Sequence, residues 1–183
     1  LGRFVHDELV AAALATLVRA GDKSYFVEAE ACVALGKTRS LLAEAALREA
    51  STRESFTDVV RQHAFRGLAE ARCDAAIPLL LDGARRGRMS QGRRAAATAL
   101  ATLVRGRRDA VAREVREALE GLLRDSDFRV QAAALEAVGT VGDPSSIAAI
   151  DAMMAVELDG RLRRRGREIV RAIGEASGTT DEV

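Results

Sequence analysis

The stretch that decides the fold is residues 127–144, DFRVQAAALEAVGTVGDP, in which Val130, Ala134 and Val138 follow one another at intervals of four residues. Side chains four residues apart lie on one face of an α-helix. This repeat pattern occurs five times, at separations of 33, 32, 38 and 32 residues. Its copies are Val27/Ala31/Leu35, Val60/Ala64/Leu68, Gly92/Ala96/Leu100, Val130/Ala134/Val138 and Leu162/Gly166/Val170. A fixed period of this length is typical of stacked supersecondary units.

The composition favours an all-α protein. Hydrophobic residues make up 48% of the chain, but there is no Trp and only one Tyr, so the core must consist of Ala, Leu, Val and Ile. Ala and Leu are strong helix formers, and small side chains let helices approach closely. We therefore predict an α-solenoid of about five antiparallel helix pairs, the first incomplete, in a single domain over residues 1–176, with a frayed polar tail at 177–183.

The predicted helices begin and end at residues that favour helix termini, such as Gly, Asp and Pro. Gly36 is predicted to end the second helix, and Gly142-Asp143-Pro144 is the clearest boundary between two helices. The predicted helices cover about 3–19 (from Arg3), 25–35, 41–50, 58–69, 74–86, 91–104, 109–124, 128–140, a helix after Pro144, and 161–174. The residues predicted to face inward are Leu9, Ala13, Leu14, Leu17 and Val18 in the first, Leu41, Leu42, Ala45 and Leu47 in the third, and Val111, Val115, Leu119 and Leu122 in the seventh. Met153 and Met154 are interpreted as core residues.

The two ends of the repeat differ. The last copy has Arg167 where the other copies have Cys32, Phe65, Ala97 and Leu135, and Arg165 where two of them have Ala95 and Ala133. A polar outer face is what a terminal solenoid repeat requires. No such polar face is found near Leu1. We therefore expect further sequence upstream, and self-association of the isolated chain through its N-terminal face.

Charge is balanced overall but uneven along the chain. Lys and Arg total 28 against 27 acids, yet residues 85–113 contain nine Arg and one acid. A basic stripe could bind phosphates, so a nucleic-acid-binding solenoid is an alternative; the scarcity of aromatic residues for base stacking disfavours it. We expect this segment to be solvated or paired with acids. Eight of the nine arginines form a run over residues 85–108: Arg85, Arg86, Arg88, Arg93, Arg94, Arg105, Arg107 and Arg108.

The sequence offers no convincing metal or nucleophile site. Cys32 and Cys73 are too few for a disulfide framework and favour a reducing cytoplasm. His63 could lie near both, but all three residues fall at ordinary helical positions, so we predict structural roles, no cofactor and no catalytic residue. No apolar run reaches the roughly 18 residues that span a bilayer, so no membrane partner is expected.

The sequence resembles two known groups of proteins. Asp127-Phe128-Arg129-Val130, the Ala-rich run after it and Gly142-Asp143-Pro144 are similar to the consensus of HEAT repeats. Residues 24–31, 34–38, 58–61 and 158–165, in this order, resemble the C-terminal HEAT-like domain of bacterial zinc aminopeptidases of the membrane alanyl aminopeptidase family. The resemblance covers nearly the whole chain. It implies an accessory helical domain beside a catalytic domain, and no zinc-binding residue of that family has a counterpart here.

These observations favour a non-catalytic HEAT-repeat domain whose partner is a protein or a catalytic domain of the same chain. A stand-alone HEAT scaffold is an alternative, and an accessory HEAT protein that acts on a bilin chromophore or its carrier protein is another. Since HEAT proteins bind partners through the second helices of their pairs, we predict contacts on those helices. The candidates are Arg85, Arg86, Arg113, Glu117, Glu120 and Asp151.

Overall fold

The computed structural model describes residues 5–156 and 159–178 and is all-α over those ranges, as predicted. Arg3 and residues 179–183 of the predicted tail lie outside the described residues. The helices are α1 Glu8–Ala20, α2 Tyr25–Thr38, α3 Leu42–Ala50, α4 Val59–Glu70, α5 Ile77–Gly83, α6 Ser90–Val104, α7 Ala110–Leu122, α8 Phe128–Val141, α9 Ile147–Val156 and α10 Gly160–Gly178. Short 3-10 turns precede α4, α5 and α9. In the part of the chain described, no helix is long and apolar enough to cross a membrane.

The chain divides into two compact units, Leu1–Leu103 and Val104–Val183. In the first unit, α2 and α4 pack side by side and run in the same direction. This is shown by two pairs of neighbours in the same order along both helices: Glu30 near His63, and Gly36 near Gly67. The α4 and α6 copies of the repeat pattern are buried, whereas Val27 of the α2 copy is 46% exposed. That both units belong to a single domain stays a prediction.

Gly36 does not end α2, contrary to the prediction. The helix continues to Thr38, and the left-handed residue that follows is Arg39, with φ 55°. Gly36 instead lies where α2 crosses α4: a Cβ built on it would lie 2.1 Å from the carbonyl oxygen of Gly67. Glycine is required here by the close approach of two backbones and not by a helix end.

The predicted inward faces of α1 and α3 are wrong in part. Leu9 and Leu41 are 86% and 97% exposed, and Leu42, Ala13 and Ala45 also face solvent. The buried residues are Ala11, Leu14, Ala15 and Val18 in α1 and Ala43, Ala46, Leu47 and Ala50 in α3. Alanines make up most of the two buried faces and let these helices approach closely, with Leu14, Val18 and Leu47 as the larger residues among them.

The second unit contains α7 to α10. Val115, Leu119 and Leu122 of α7 are buried as predicted, whereas Val111 is partly exposed near the helix start. The boundary at Asp143 is confirmed, because its carboxylate accepts a hydrogen bond from the Ser145 amide at 2.9 Å. A 3-10 turn, Pro144–Ser146, then leads into α9. Helices α8 and α10 are parallel neighbours, joined by Arg165 Nε donating to Glu136 at 2.6 Å and by Ile169 against Gly139.

Several predictions for the last helices are confirmed. Met153 is buried, and Met154 packs against Gly166, where a Cβ would lie 2.6 Å from its sulfur. Arg165 and Arg167 are exposed on α10, which gives this helix the polar outer face that was expected. The Arg165 guanidinium, hydrogen-bonded to Glu136, lowers the pKa of that carboxyl below its usual range.

Candidate functional site

A pocket of about 250 Å³ lies wholly within the first unit. It forms where the end of α3, the first half of α4, helix α5 and the start of α6 meet. Charged and apolar side chains share its wall. The lining residues are Ser51, Thr52, Asp58, Arg61, Phe65, Leu79, Asp82, Gly83, Arg88 and Gly92.

An ion pair between Asp58 and Arg61 forms one wall of the pocket. Arg61 Nη1 donates to both carboxylate oxygens of Asp58, at 3.0 and 2.9 Å, and its Nε donates to the Ser51 carbonyl at 2.7 Å. Asp58 is only 4% exposed, whereas about a quarter of the Arg61 side chain reaches solvent. The guanidinium is therefore fixed by α3 and α4 together and remains accessible from the pocket.

The backbone that precedes α4 is strained next to this pair. Thr57 and Asp58 both have left-handed conformations, with φ 52° and 59°. The sequence predicts a helix from Asp58, but α4 begins at Val59 and Asp58 makes no capping hydrogen bond. Ser55 Oγ instead accepts from the Val60 amide at 3.1 Å. Non-glycine residues in this conformation cost about 1 kcal/mol each. The strain turns the Asp58 carboxylate towards Arg61 and away from the helix amides.

Two glycines and a second ion pair complete the pocket. A Cβ at Gly83 would lie 2.7 Å from the Phe65 ring, and a Cβ at Gly92 would lie 3.1 Å from Asp58 Oδ2. At the mouth, Asp82 accepts from Arg88 and pairs with Arg85 Nη1 at 3.6 Å. Larger residues at either glycine would close the space, so small residues keep the pocket open.

The structure places the predicted contact residues in two groups. Arg85 reaches the pocket rim through Asp82, and Arg86 is exposed beside it. The other four lie in the second unit, where Arg113, Glu117 and Asp151 are exposed on α7 and α9. Glu120 instead accepts a hydrogen bond from Ser146 Oγ at 2.6 Å, which joins α7 to the turn before α9.

The Arg-rich segment is partly paired with acids, as expected. Arg85 and Arg88 contact Asp82, and Arg107 Nη2 lies 2.8 Å from Asp109. Arg93 is buried and donates to the Arg88 carbonyl. Such pairing reduces the positive charge available to a polyanion.

Sequence reasoning missed Asp58, Arg61 and Phe65. The available signal was the spacing of Asp58 and Arg61, which lie three residues apart at the start of a copy of the repeat pattern. This spacing places an acid and an arginine at neighbouring positions of one helix turn. The left-handed turn could not be inferred, because neither Thr57 nor Asp58 is a glycine.

No cluster of three or more His, Cys, Asp and Glu side chains that could bind a metal occurs within residues 5–156 and 159–178. His63 Nδ1 lies 2.8 Å from the Val59 carbonyl, and its Nε2 lies 3.8 Å from Glu30. Both cysteines are free thiols. Burial, with Glu28 nearby, raises the pKa of Cys32 to about 12; burial and a hydrogen bond to Glu44 raise the pKa of Cys73.

We expect the two thiols to react at different rates with a disulfide reagent at pH 8. The thiolate is the reactive form, so the raised pKa of buried Cys32 protects it, while half-buried Cys73 reacts slowly. Ellman's reagent should modify only Cys73 in the folded chain. Denaturing guanidinium should expose both thiols. Equal rates in the folded chain would contradict the buried position of Cys32.

Exposed large apolar side chains are concentrated in the first unit. Of twelve such residues in the described chain, eight lie between Val5 and Phe56. Tyr25 and Phe26 begin α2, and Phe56 lies in the turn before α4. Because α2 and α4 are parallel neighbours, these aromatic residues lie at the same end of the helix pair. We call Tyr25, Phe26 and Phe56 the aromatic edge.

Comparison with known proteins identifies similarities of family and fold. The model of HEAT repeats matches residues 77–173. The complex of CpcE and CpcF of phycocyanin lyase from Nostoc sp. PCC7120 contains a similar chain: TM-score 0.71, 21% identity, covering 86% of this chain and 98% of that chain. A crystal structure of an engineered protein matches with a TM-score of 0.55 and 21% identity, covering 90% of this chain and 80% of that chain. No curated protein matches. The predicted α-solenoid class is thereby confirmed.

Proposed function

Because the chain belongs to the HEAT-repeat family, whose stacked helices present extended surfaces, we propose that it is a non-catalytic module that binds a protein partner. The aromatic edge is the observation that carries this proposal. Phe26 and Phe56 are 73% and 76% exposed at adjacent helix starts. Exposed aromatic side chains at one end of a helix pair favour a protein contact, because aromatic residues are enriched at the centres of interfaces.

We expect the double variant Phe26→Ser/Phe56→Ser to weaken partner binding about tenfold or more, equivalent to about 1.4 kcal/mol. The partner would be identified by crosslinking the tagged chain in its source cells, then purified for calorimetric titration. Leu41→Ser is the matched control, since Leu41 is exposed at the opposite end of α2. The control should bind like the parent chain. Undiminished binding by the double variant would refute a role for the aromatic edge.

The predicted polar contacts extend this proposal to further surfaces. We propose that Arg85 and Arg86 in the first unit, and Arg113, Glu117 and Asp151 in the second, lie at the borders of partner contacts, where exposed charges guide association. Glu120 belongs to the same predicted set. Its hydrogen bond from Ser146 supports a structural role. Glu120→Ala should therefore lower the stability of the folded chain more than its affinity for a partner.

A catalytic domain of the same polypeptide would also serve as partner. The resemblance to bacterial zinc aminopeptidases supports this form of the proposal, whereas the match to HEAT repeats and the similar structures support only the fold. The upstream gene sequence decides it. A His-Glu-x-x-His motif with a downstream glutamate would support the attachment, and their absence would eliminate it.

A second candidate is a subunit of a two-protein complex that acts on phycocyanin. The observation in its favour is that the similarity of fold extends over 98% of the chain from the phycocyanin lyase complex. The chain and its crosslinked partner would be incubated with phycocyanin apoprotein and a bilin. A covalently coloured product that needs both proteins would support this candidate, and an uncoloured apoprotein would exclude it.

A further inference from the structure

We propose that the pocket in the first unit is a carboxylate-binding site. Arg61 and Arg88 bind the carboxylate of the ligand, and Phe65 contacts the carbon chain that bears it. The proposal is independent of the aromatic edge, which lies outside the residues that line the pocket. It assigns a chemical class of ligand: a carboxylate on a short apolar stem.

The charges of the pocket favour an anion once burial is considered. The charges of Asp58 and Arg61 cancel formally. However, both oxygens of the Asp58 carboxylate already accept from Arg61, and Asp58 is almost wholly buried. Asp58 also lines the pocket, but both of its oxygens accept from Arg61, so the group with an unused hydrogen-bonding atom on this wall is the Arg61 guanidinium. At the mouth, two guanidiniums, Arg85 and Arg88, share the single carboxylate of Asp82. Two arginines and two aspartates line the pocket, and Arg85 beside Asp82 adds a third positive charge at its mouth.

Arg61 also has hydrogen-bonding capacity to spare. Its Nη1 and Nε are used by Asp58 and Ser51, while its Nη2 has no partner among the described residues. A guanidinium has five N–H donors in a rigid planar fork that matches a carboxylate. Because the neighbouring bonds fix this fork before the ligand arrives, little entropy is lost on binding. The strained turn at Thr57 and Asp58 contributes to this preorganisation.

The size and apolar lining of the pocket favour a small carboxylic acid group over a phosphate. Its volume of about 250 Å³ is below the roughly 300–1,000 Å³ of sites for drug-sized ligands. Phosphate sites commonly use backbone amides at a helix start, but here Ser55 Oγ occupies the Val60 amide. Phe65 and Leu79 instead provide a surface for methylene groups. The carboxylate could belong to a polypeptide or to a free acid.

The test is an NMR titration of the full chain that observes the Arg Nε–Hε signals. The probes are butyrate, a blocked tripeptide Ac-Gly-Glu-Gly-NH2, butyramide as the uncharged isostere of butyrate, and methyl phosphate. Arg88→Gln removes a half-exposed guanidinium that would bind the ligand, with little effect on folding. Arg94→Gln, on the exposed face of α6, is the matched control. Arg61→Gln is avoided because Arg61 joins α3 to α4.

We expect saturable shifts of the Arg61 and Arg88 signals with a Kd of about 1 mM for at least one carboxylate probe. Arg88→Gln should weaken binding about fivefold, and Arg94→Gln less than twofold. Tighter binding of the peptide assigns the ligand to a polypeptide, and tighter binding of butyrate assigns it to a free acid; both support the site. No saturation, equal shifts with butyramide, or tighter binding of methyl phosphate would overturn the proposal.

Discussion

Gly36→Ala should lower the free energy of unfolding by about 3 kcal/mol or more and the Tm by about 10 °C. The new Cβ would lie 2.1, 2.6 and 2.7 Å from the carbonyl oxygen, carbonyl carbon and Cα of Gly67. These are backbone atoms of α4, so no side-chain rotation can relieve the overlap. The helices would have to separate, which disrupts the packing of the whole α2–α4 face. Thermal unfolding followed by circular dichroism measures the effect.

Gly174→Ala is the control for the intrinsic effect of replacing glycine by alanine. Gly174 is exposed inside α10, and a Cβ there would meet no atom within 4 Å. The loss of backbone freedom in the unfolded chain should therefore stabilise this variant by about 0.5–1 kcal/mol. Opposite signs for the two variants would show that the close crossing, and not helix propensity, governs Gly36. An unchanged Tm for Gly36→Ala would contradict the crossing geometry.

The repeated pattern predicted the core well where a side chain's position depends on local periodicity. Val60, Ala64 and Leu68 are all buried, because residues four apart share a helix face wherever the helix packs. The boundaries at Asp127 and Asp143 were predictable for a similar reason. Each carboxylate caps amides within three residues of itself, so the signal is contained in the local sequence.

The features that could not be predicted depend on residues far apart in the sequence. The role of Gly36 is determined by Gly67, 31 residues later, and a glycine near a helix end looks the same in sequence whether it caps the helix or lies at a crossing. The candidate pocket likewise needs α3, α4, α5 and α6 together. Leu41 illustrates the limit of hydrophobicity as a guide, since alanines of α3 face the neighbouring helices while this leucine is exposed.

Arg53 is the other residue whose importance becomes visible only in three dimensions. Its Nη1 donates to the Val18 carbonyl and to Glu28 Oε1, both at 2.6 Å, and its Nη2 donates to the Arg19 carbonyl at 2.7 Å. It thus binds the last carbonyls of α1, where the helix dipole favours a cation, and also neutralises a carboxylate that is only 4% exposed. One side chain from the segment after α3 therefore connects that segment to α1 and α2.

Arg53→Met should destabilise the chain by about 3 kcal/mol, measured by urea unfolding, because Met preserves the aliphatic stem and leaves the Glu28 carboxylate buried without its partner. Glu49→Gln is the control: its contact with Arg53 is 3.5 Å and exposed, so a change below about 0.5 kcal/mol is expected. In the double variant Glu28→Gln/Arg53→Met the buried charge is gone. The double variant should lose less free energy of unfolding than the sum of the losses in Glu28→Gln and Arg53→Met, since both single variants break the same ion pair. Strictly additive losses would mean that Arg53 stabilises the unit through the α1 carbonyls alone.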